Sequence, residues 1–225
     1  MRNSPVSELR TEEEQLELIR NWWKENGKSL ILGVAVAAAA VVGWKAWQHH
    51  QQTYYGNASA LYQGLVQGVE AAQGGKASNE QLATYEHVSE QLKKDYADTS
   101  YSRFAALLLG KVYADAGQLD KAQSQLQWVH DQESTTDIGE LAELRLARVL
   151  FADKKGAEAL GMLQDHGGLY APERAELRGD ILSQQGKAAE ARQAYQEAQA
   201  LYQEAGRQSP VLAMKLDDLA VAKGA

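Results

Sequence analysis

Two hydrophobic patterns divide the chain. From Ser29 to Trp44 no residue is charged, and the run reads Ser29-Leu-Ile-Leu-Gly-Val-Ala-Val-Ala-Ala-Ala-Ala-Val-Val-Gly-Trp44. Such a segment predicts a helix that is apolar on every side. After it, apolar residues recur at spacings of three and four, the signature of amphipathic helices. Before it, Thr11-Glu12-Glu13-Glu14 forms a capping-box pattern, followed by Leu16, Ile19 and Trp23 and then by Asn26-Gly27. That order predicts a short amphipathic helix that stops at Asn26-Gly27. Prolines stand only at positions 5, 172 and 210, and alanine, leucine, glutamine and glutamate dominate. These residues lose least on entering a helix, so the fold class is all-α.

At 1.5 Å per residue the uncharged run reaches only about 24 Å, short of a hydrocarbon core of roughly 30 Å. Its flanks extend it. Trp22 and Trp23 precede the run and Trp44 and Trp47 follow it. Trp23 to Trp44 covers about 32 Å of helix, the separation of two interfacial aromatic belts. Lys28 and Lys45 extend the usable span by reaching outward. A cleaved signal peptide would need a short basic leader, which the acidic residues upstream oppose, and Trp44-Lys45-Ala46-Trp47 is a poor cleavage site. A buried core helix is the remaining alternative. Arg10, Arg20, Lys24 and Lys28 lie before the span and no Lys or Arg falls between Ala46 and Leu65. The N-terminus is therefore expected in the cytoplasm, with residues 1–28 as a tail, 29–47 as the transmembrane helix and 48–225 across the membrane.

Self-comparison of the exported part finds one signature three times. Gly110 and Tyr113 pair with Ala122 and Leu126, Ala147 and Leu150 with Ala159 and Leu163, and Gly179 and Leu182 with Ala191 and Tyr195, at steps of 37 and 32 residues. Those steps bracket the 34-residue tetratricopeptide unit. A small residue lets the second helix of a hairpin approach, and the large apolar residues one turn away fill the gap. Turn signals separate the helices at Asp115-Ala-Gly117, Asp153-Lys-Lys-Gly156 and Gln185-Gly186. Clear repeats thus run over about 103–202. Upstream, 58–72 and 79–96 read as one further hairpin, and Gly64-x-x-x-Gly68 within it suggests close helix packing. Ser209-Pro210 opens a capping helix over about 210–220.

The chain holds no cysteine, which excludes thiolate chemistry and disulfides. A net charge of −7 with scattered basic residues gives no footprint for a nucleic-acid backbone. His49-His50 is an interfacial pair and His87, His130 and His166 are isolated. No hydrolase, P-loop, dinucleotide or zinc motif appears, so neither an enzyme nor a cofactor is expected.

What remains is apolar excess. Phe104-Ala-Ala-Leu-Leu-Leu109 is hydrophobic all round its helix and must be covered or presented to a partner. With units starting at Arg103, Glu140 and Pro172, the inner positions are Phe104, Leu107 and Lys111, then Leu141, Leu144, Arg148 and Phe151, then Glu173, Glu176 and Asp180. The groove is expected to be greasy at one end and acidic at the other, with Phe104, Leu107, Lys111, Leu144, Arg148 and Phe151 binding a partner. Covering of these residues by the cap helix is the alternative.

Several segments resemble a known family. They are Glu25-Asn-Gly-Lys28 before the span, Gly43-Trp44 at its end, Leu144-Arg-Leu-Ala-Arg-Val149, Leu177-Arg-Gly-Asp180 and Met214-Lys-Leu-Asp-Asp-Leu219. In this order they resemble the YfgM family, ancillary subunits of the bacterial SecYEG translocon with a tetratricopeptide-like periplasmic domain. The tail before Trp22 and the stretch from Gln73 to Ser78 match no motif of that family. The resemblance implies a single-pass inner-membrane protein that associates with SecYEG and with the membrane-anchored chaperone PpiD and assists exported client proteins, with a link to envelope-stress control. A second reading is a structural scaffold that oligomerises or coordinates envelope assembly without touching clients.

Overall fold

The computed structural model describes residues 12–72, 77–164 and 167–221. It divides into two compact units, Met1–Tyr55 and Gly56–Ala225. Thr11, the expected cap of the tail helix, and His166 lie outside the described residues.

Helix α1 runs over Glu12–Ala71. In the first unit it does not stop at Asn26-Gly27, contrary to the expected helix end. The Asn26 side chain donates to the Trp22 carbonyl 3.1 Å away, a bond inside the helix. Gly27 leaves room for the Trp23 indole, which a Cβ there would meet at 3.2 Å. A stop signal needs the helix to lose by continuing, and the apolar run that follows makes continuation favourable. All residues of this unit from Leu30 to Trp47 are exposed, as are Trp22 and Trp23. This is the one helix among the described residues long and apolar enough to cross a membrane. A core helix would be covered, and this segment is not.

In the second unit residues 56–71 of α1 are followed by α2 (Asn79–Asp95), α3 (Ser100–Asp115), α4 (Leu119–Glu133), α5 (Asp137–Ala152), α6 (Gly156–Met162), α7 (Ala171–Gln184), α8 (Ala188–Glu204) and α9 (Pro210–Val221). No strand occurs among the described residues. Helices α2, α5 and α9 start where a side chain takes up one of their first amides. Ser78 and Gln81 form a reciprocal capping box at 2.8 and 3.2 Å, the Thr136 hydroxyl accepts from Gly139, and the Ser209 hydroxyl accepts from Leu212.

Helices α3, α5, α7 and α8 end in one way. The amides of Gln118, Lys155, Lys187 and Arg207 donate back to the carbonyls of Tyr113, Leu150, Leu182 and Tyr202 at 2.8–3.0 Å. This closure requires a left-handed residue just before the donor. Gly117, Gly186 and Gly206 take it at φ of 79°, 76° and 66°, and Lys154 takes it at 62°. The turn of the second hairpin therefore pivots on Lys154, not on Gly156, which opens α6.

Consecutive helices pack antiparallel at the small residues of the repeat. Ala122, Ala147, Ala159 and Ala191 are fully buried, with Tyr113, Leu126, Leu150, Leu163 and Tyr195 around them and Leu182 at 8% exposure. A Cβ on Gly110 would come within 2.9 Å of Leu126, and one on Gly179 would enter the ring of Tyr195. Upstream, Gly68 fits against Tyr85, whose hydroxyl donates to the Gly68 carbonyl at 2.6 Å. Gly64 has nothing near its missing Cβ and faces an open cavity of about 570 Å³ between 56–71 of α1 and α2. Close packing thus holds for Gly68 and not for Gly64. The second hairpin is truncated, since α6 has only 7 residues and an irregular stretch then leads to α7. There the apolar core parts into two clusters, one running from Ala58 to Ile181 and one around Ala191, Tyr195 and Leu212.

Candidate functional site: the face of the first helices

Applying the 37- and 32-residue steps to α3, α5 and α7 aligns four rows of side chains. Phe104, Leu141 and Glu173 form the first row; Leu107, Leu144 and Glu176 the second; Leu108, Arg145 and Leu177 the third; Lys111, Arg148 and Asp180 the fourth. The spacing of three, four and seven keeps each set on one side of its helix.

The greasy end is open. A cavity of about 390 Å³ between α3 and α5 has Tyr62, Phe104, Leu108, Ile138 and Leu141 along it and Tyr170 at its edge. Phe104 is 37% exposed, with its ring centroid 6.0 Å from that of Tyr62. An adjoining cavity of about 310 Å³ reaches Arg148 and Val149. Lys111 and Arg145 line both, so the groove passes from an aromatic-aliphatic end to a basic one.

The basic end is unevenly paired. Lys111 contacts Asp115 of its own helix at 2.6 Å, both in water. Arg145 is half-buried, bonds the Leu107 carbonyl at 3.3 Å, and has its acidity raised by burial, with Arg148 adding and Tyr170 opposing. Neither Arg145 nor Arg148 forms an ion pair with a described residue. Asp137 lies at the other, apolar end of the groove.

The acidic end is covered. Lys215 of α9 reaches Glu176 at 2.7 Å and Asp180 at 2.7 Å, with the Tyr195 ring 5.7 Å below its ammonium. Arg207 pairs with Glu173 at 2.9 Å. The hydroxyls of Tyr195 and Tyr202 donate to Asp180 and Glu176 at 2.8 and 3.1 Å. Burial pulls the Lys215 ammonium toward neutrality, but the two carboxylates outweigh it and hold its pKa above the ordinary lysine value. The cap helix therefore covers Glu176 and Asp180, Arg207 in the turn before it covers Glu173, and Phe104 stays uncovered, so the alternative of a covering cap holds at the acidic end alone.

Two expected groove residues belong elsewhere. Leu144 is 1% exposed and lies in the core, and Phe151 is half-buried against the same core, so neither lines the groove. Leu107 touches the cavity but is 5% exposed, so the open surface on α3 is Leu108 and Phe104. Sequence reasoning missed Tyr62, Leu108, Ile138, Arg145 and Tyr170. For Leu108 and Arg145 a signal existed, because they occupy one row of the repeat. Among the described residues no cluster of three His, Asp or Glu could hold a metal ion.

Stacked helical hairpins with an open groove between α3 and α5 define a helical-repeat protein. The tetratricopeptide repeat-like domain family matches residues 20–221. A relative from Escherichia coli strain K12, named Ancillary SecYEG translocon subunit, is 30% identical over 93% of this chain and 97% of its own. Relatives of the same name from Haemophilus influenzae and Neisseria gonorrhoeae are 29% and 27% identical over 84% and 92% of this chain and 88% and 97% of theirs. The chain belongs to this YfgM family of tetratricopeptide repeat-like proteins.

Proposed function

We propose that this protein is an ancillary subunit of the SecYEG translocon, anchored in the inner membrane by residues 29–47, with the tail in the cytoplasm and residues 48–225 in the periplasm. There the repeats link the channel to the periplasmic chaperone PpiD and assist exported proteins, with a further role in envelope-stress control. What carries the reading is a likeness to relatives of that name that takes in the apolar helix and every repeat together. The open apolar groove supports it, because a surface that water wets poorly gains by taking up the apolar side chains of an unfolded or helical partner. Trp22, Trp23, Trp44 and Trp47 are the interfacial anchors of the span.

Photo-crosslinking in intact cells tests this. A photoreactive residue in place of Phe104 is expected to capture channel subunits, PpiD or nascent exported chains. Capture of nothing but further copies of this chain would replace the translocon reading by a self-assembling scaffold.

A further inference from the structure

The two ends of the repeat face are treated differently by the molecule itself. In the fourth row the residue changes from Lys111 and Arg148 to Asp180. At Asp180 the chain supplies its own occupant: α9 seats Leu212 in the second core cluster, packs Leu216 against it, and places Lys215 on the carboxylates. The helix itself packs on α8, and it is the Lys215 side chain that neutralises the acidic row from there.

At the basic end Lys111 pairs with Asp115 of its own helix, and the arginines have no such counter-charge among the described residues. Arg103, Arg174, Arg178 and Arg207 of this unit each meet a glutamate. Arg145 and Arg148 meet none among the described residues, although Arg145 is half-buried beside an apolar cavity. A guanidinium offers five N–H groups in a planar fork, and Arg145 places one of them on a carbonyl. Taking the rest out of water is unfavourable unless carboxylate oxygens replace it. We infer that the groove between α3 and α5 is a site for an acidic amphipathic segment of a partner, its apolar side chains on Phe104, Leu108 and Leu141 and its carboxylates on Arg145 and Arg148. This deepens the proposed function by giving the chemistry of the partner, and it rests on the groove being the binding surface.

The test uses the full chain in lipid nanodiscs and three labelled amphipathic peptides with the same leucine pattern, carrying glutamate, glutamine or lysine on the flanking positions. The glutamate peptide is expected to bind about tenfold or more tighter than the glutamine one, and added salt should erase much of the difference. Arg148→Gln changes an exposed side chain and should remove most of the advantage without lowering the melting temperature. Arg148→Glu should transfer the preference to the lysine peptide. Equal binding of the glutamate and glutamine peptides, both lost in Phe104→Ser, would leave the groove as the binding surface and overturn its acidic specificity. Preference for the lysine peptide by the unaltered protein, or no saturable binding of the glutamate peptide, would equally overturn it, whatever crosslinking at Phe104 captures in cells.

Discussion

The turn that ends α5 illustrates how much one residue decides. Lys154 holds a backbone conformation that glycine adopts at the matching positions 117 and 186. A side chain there costs on the order of 1 kcal/mol, because the Cβ crowds the carbonyl. Lys154→Gly is therefore expected to raise the melting temperature by a few degrees, and Gly117→Ala to lower it by as much, both read by circular dichroism of the full chain. A fall on Lys154→Gly would mean that the lysine side chain contributes more than the turn geometry. Alkaline pH acts at the same scale. Burial and the neighbouring Glu86 carboxylate push the Tyr113 phenol up to about 12, burial and Asp180 push Tyr195 above the ordinary range, and Lys215 is raised as well. Each group keeps its proton more firmly in the folded state, so its contribution is complete below about pH 10 and is lost as pH rises past that value. Melting temperature is expected to hold from neutrality to about pH 10 and then fall, and Tyr113→Phe should make the fall shallower.

For whole helices, the small residues at the crossings set the packing distance. Gly179→Ala should destabilise more than Gly110→Ala, since the first drives a methyl into the rigid Tyr195 ring and the second meets the flexible end of Leu126. The costs are expected at about 1 to 3 kcal/mol, while Gly64→Ala, with open space around it, should be neutral or gain up to about 1 kcal/mol of helix propensity. Enlarging Ala122, Ala159 or Ala191 to Leu falls with the first group. The crossings were legible in the sequence because a small and a large residue four apart, thrice in phase, leave few other packings. The groove was legible only in part. One residue on a helix turns the side chain by 100°, so choosing Leu107 over Leu108, or Leu144 over Arg145, exchanges core for surface. A covering cap helix was foreseeable as an alternative, but which end it covers was illegible, since Lys215 meets Glu176 and Asp180 from 39 and 35 residues away. The helix through Asn26-Gly27 shows the converse, a local stop overridden by its neighbours.

At the scale of the molecule, topology and binding separate. Protease added to spheroplasts is expected to digest residues 48–225 and spare the tail; protection of the repeats would reverse the orientation. Phe151→Ser is expected to lower stability by about 1 to 3 kcal/mol, because the ring is half-buried against the core, and Phe104→Ser to weaken partner capture with a smaller effect on melting. The reverse pattern in melting and crosslinking assays would move the binding surface from α3 toward the end of α5.

In stacked hairpins each unit is held by its neighbours alone, so cooperativity is only as strong as the weakest junction. The third hairpin leans on the two turns of α6 and on α5 through Glu140 and Arg174, and the apolar core divides along α7, with Leu177 and Ile181 in one cluster and Ala175 and Leu182 in the other. Hydrogen exchange should therefore show α7, α8 and α9 opening together, ahead of α3 to α5. A domain built this way has a compliant joint between a firm groove and a detachable end, so that tension on the C-terminal helices would be absorbed at α6 before it distorts the groove.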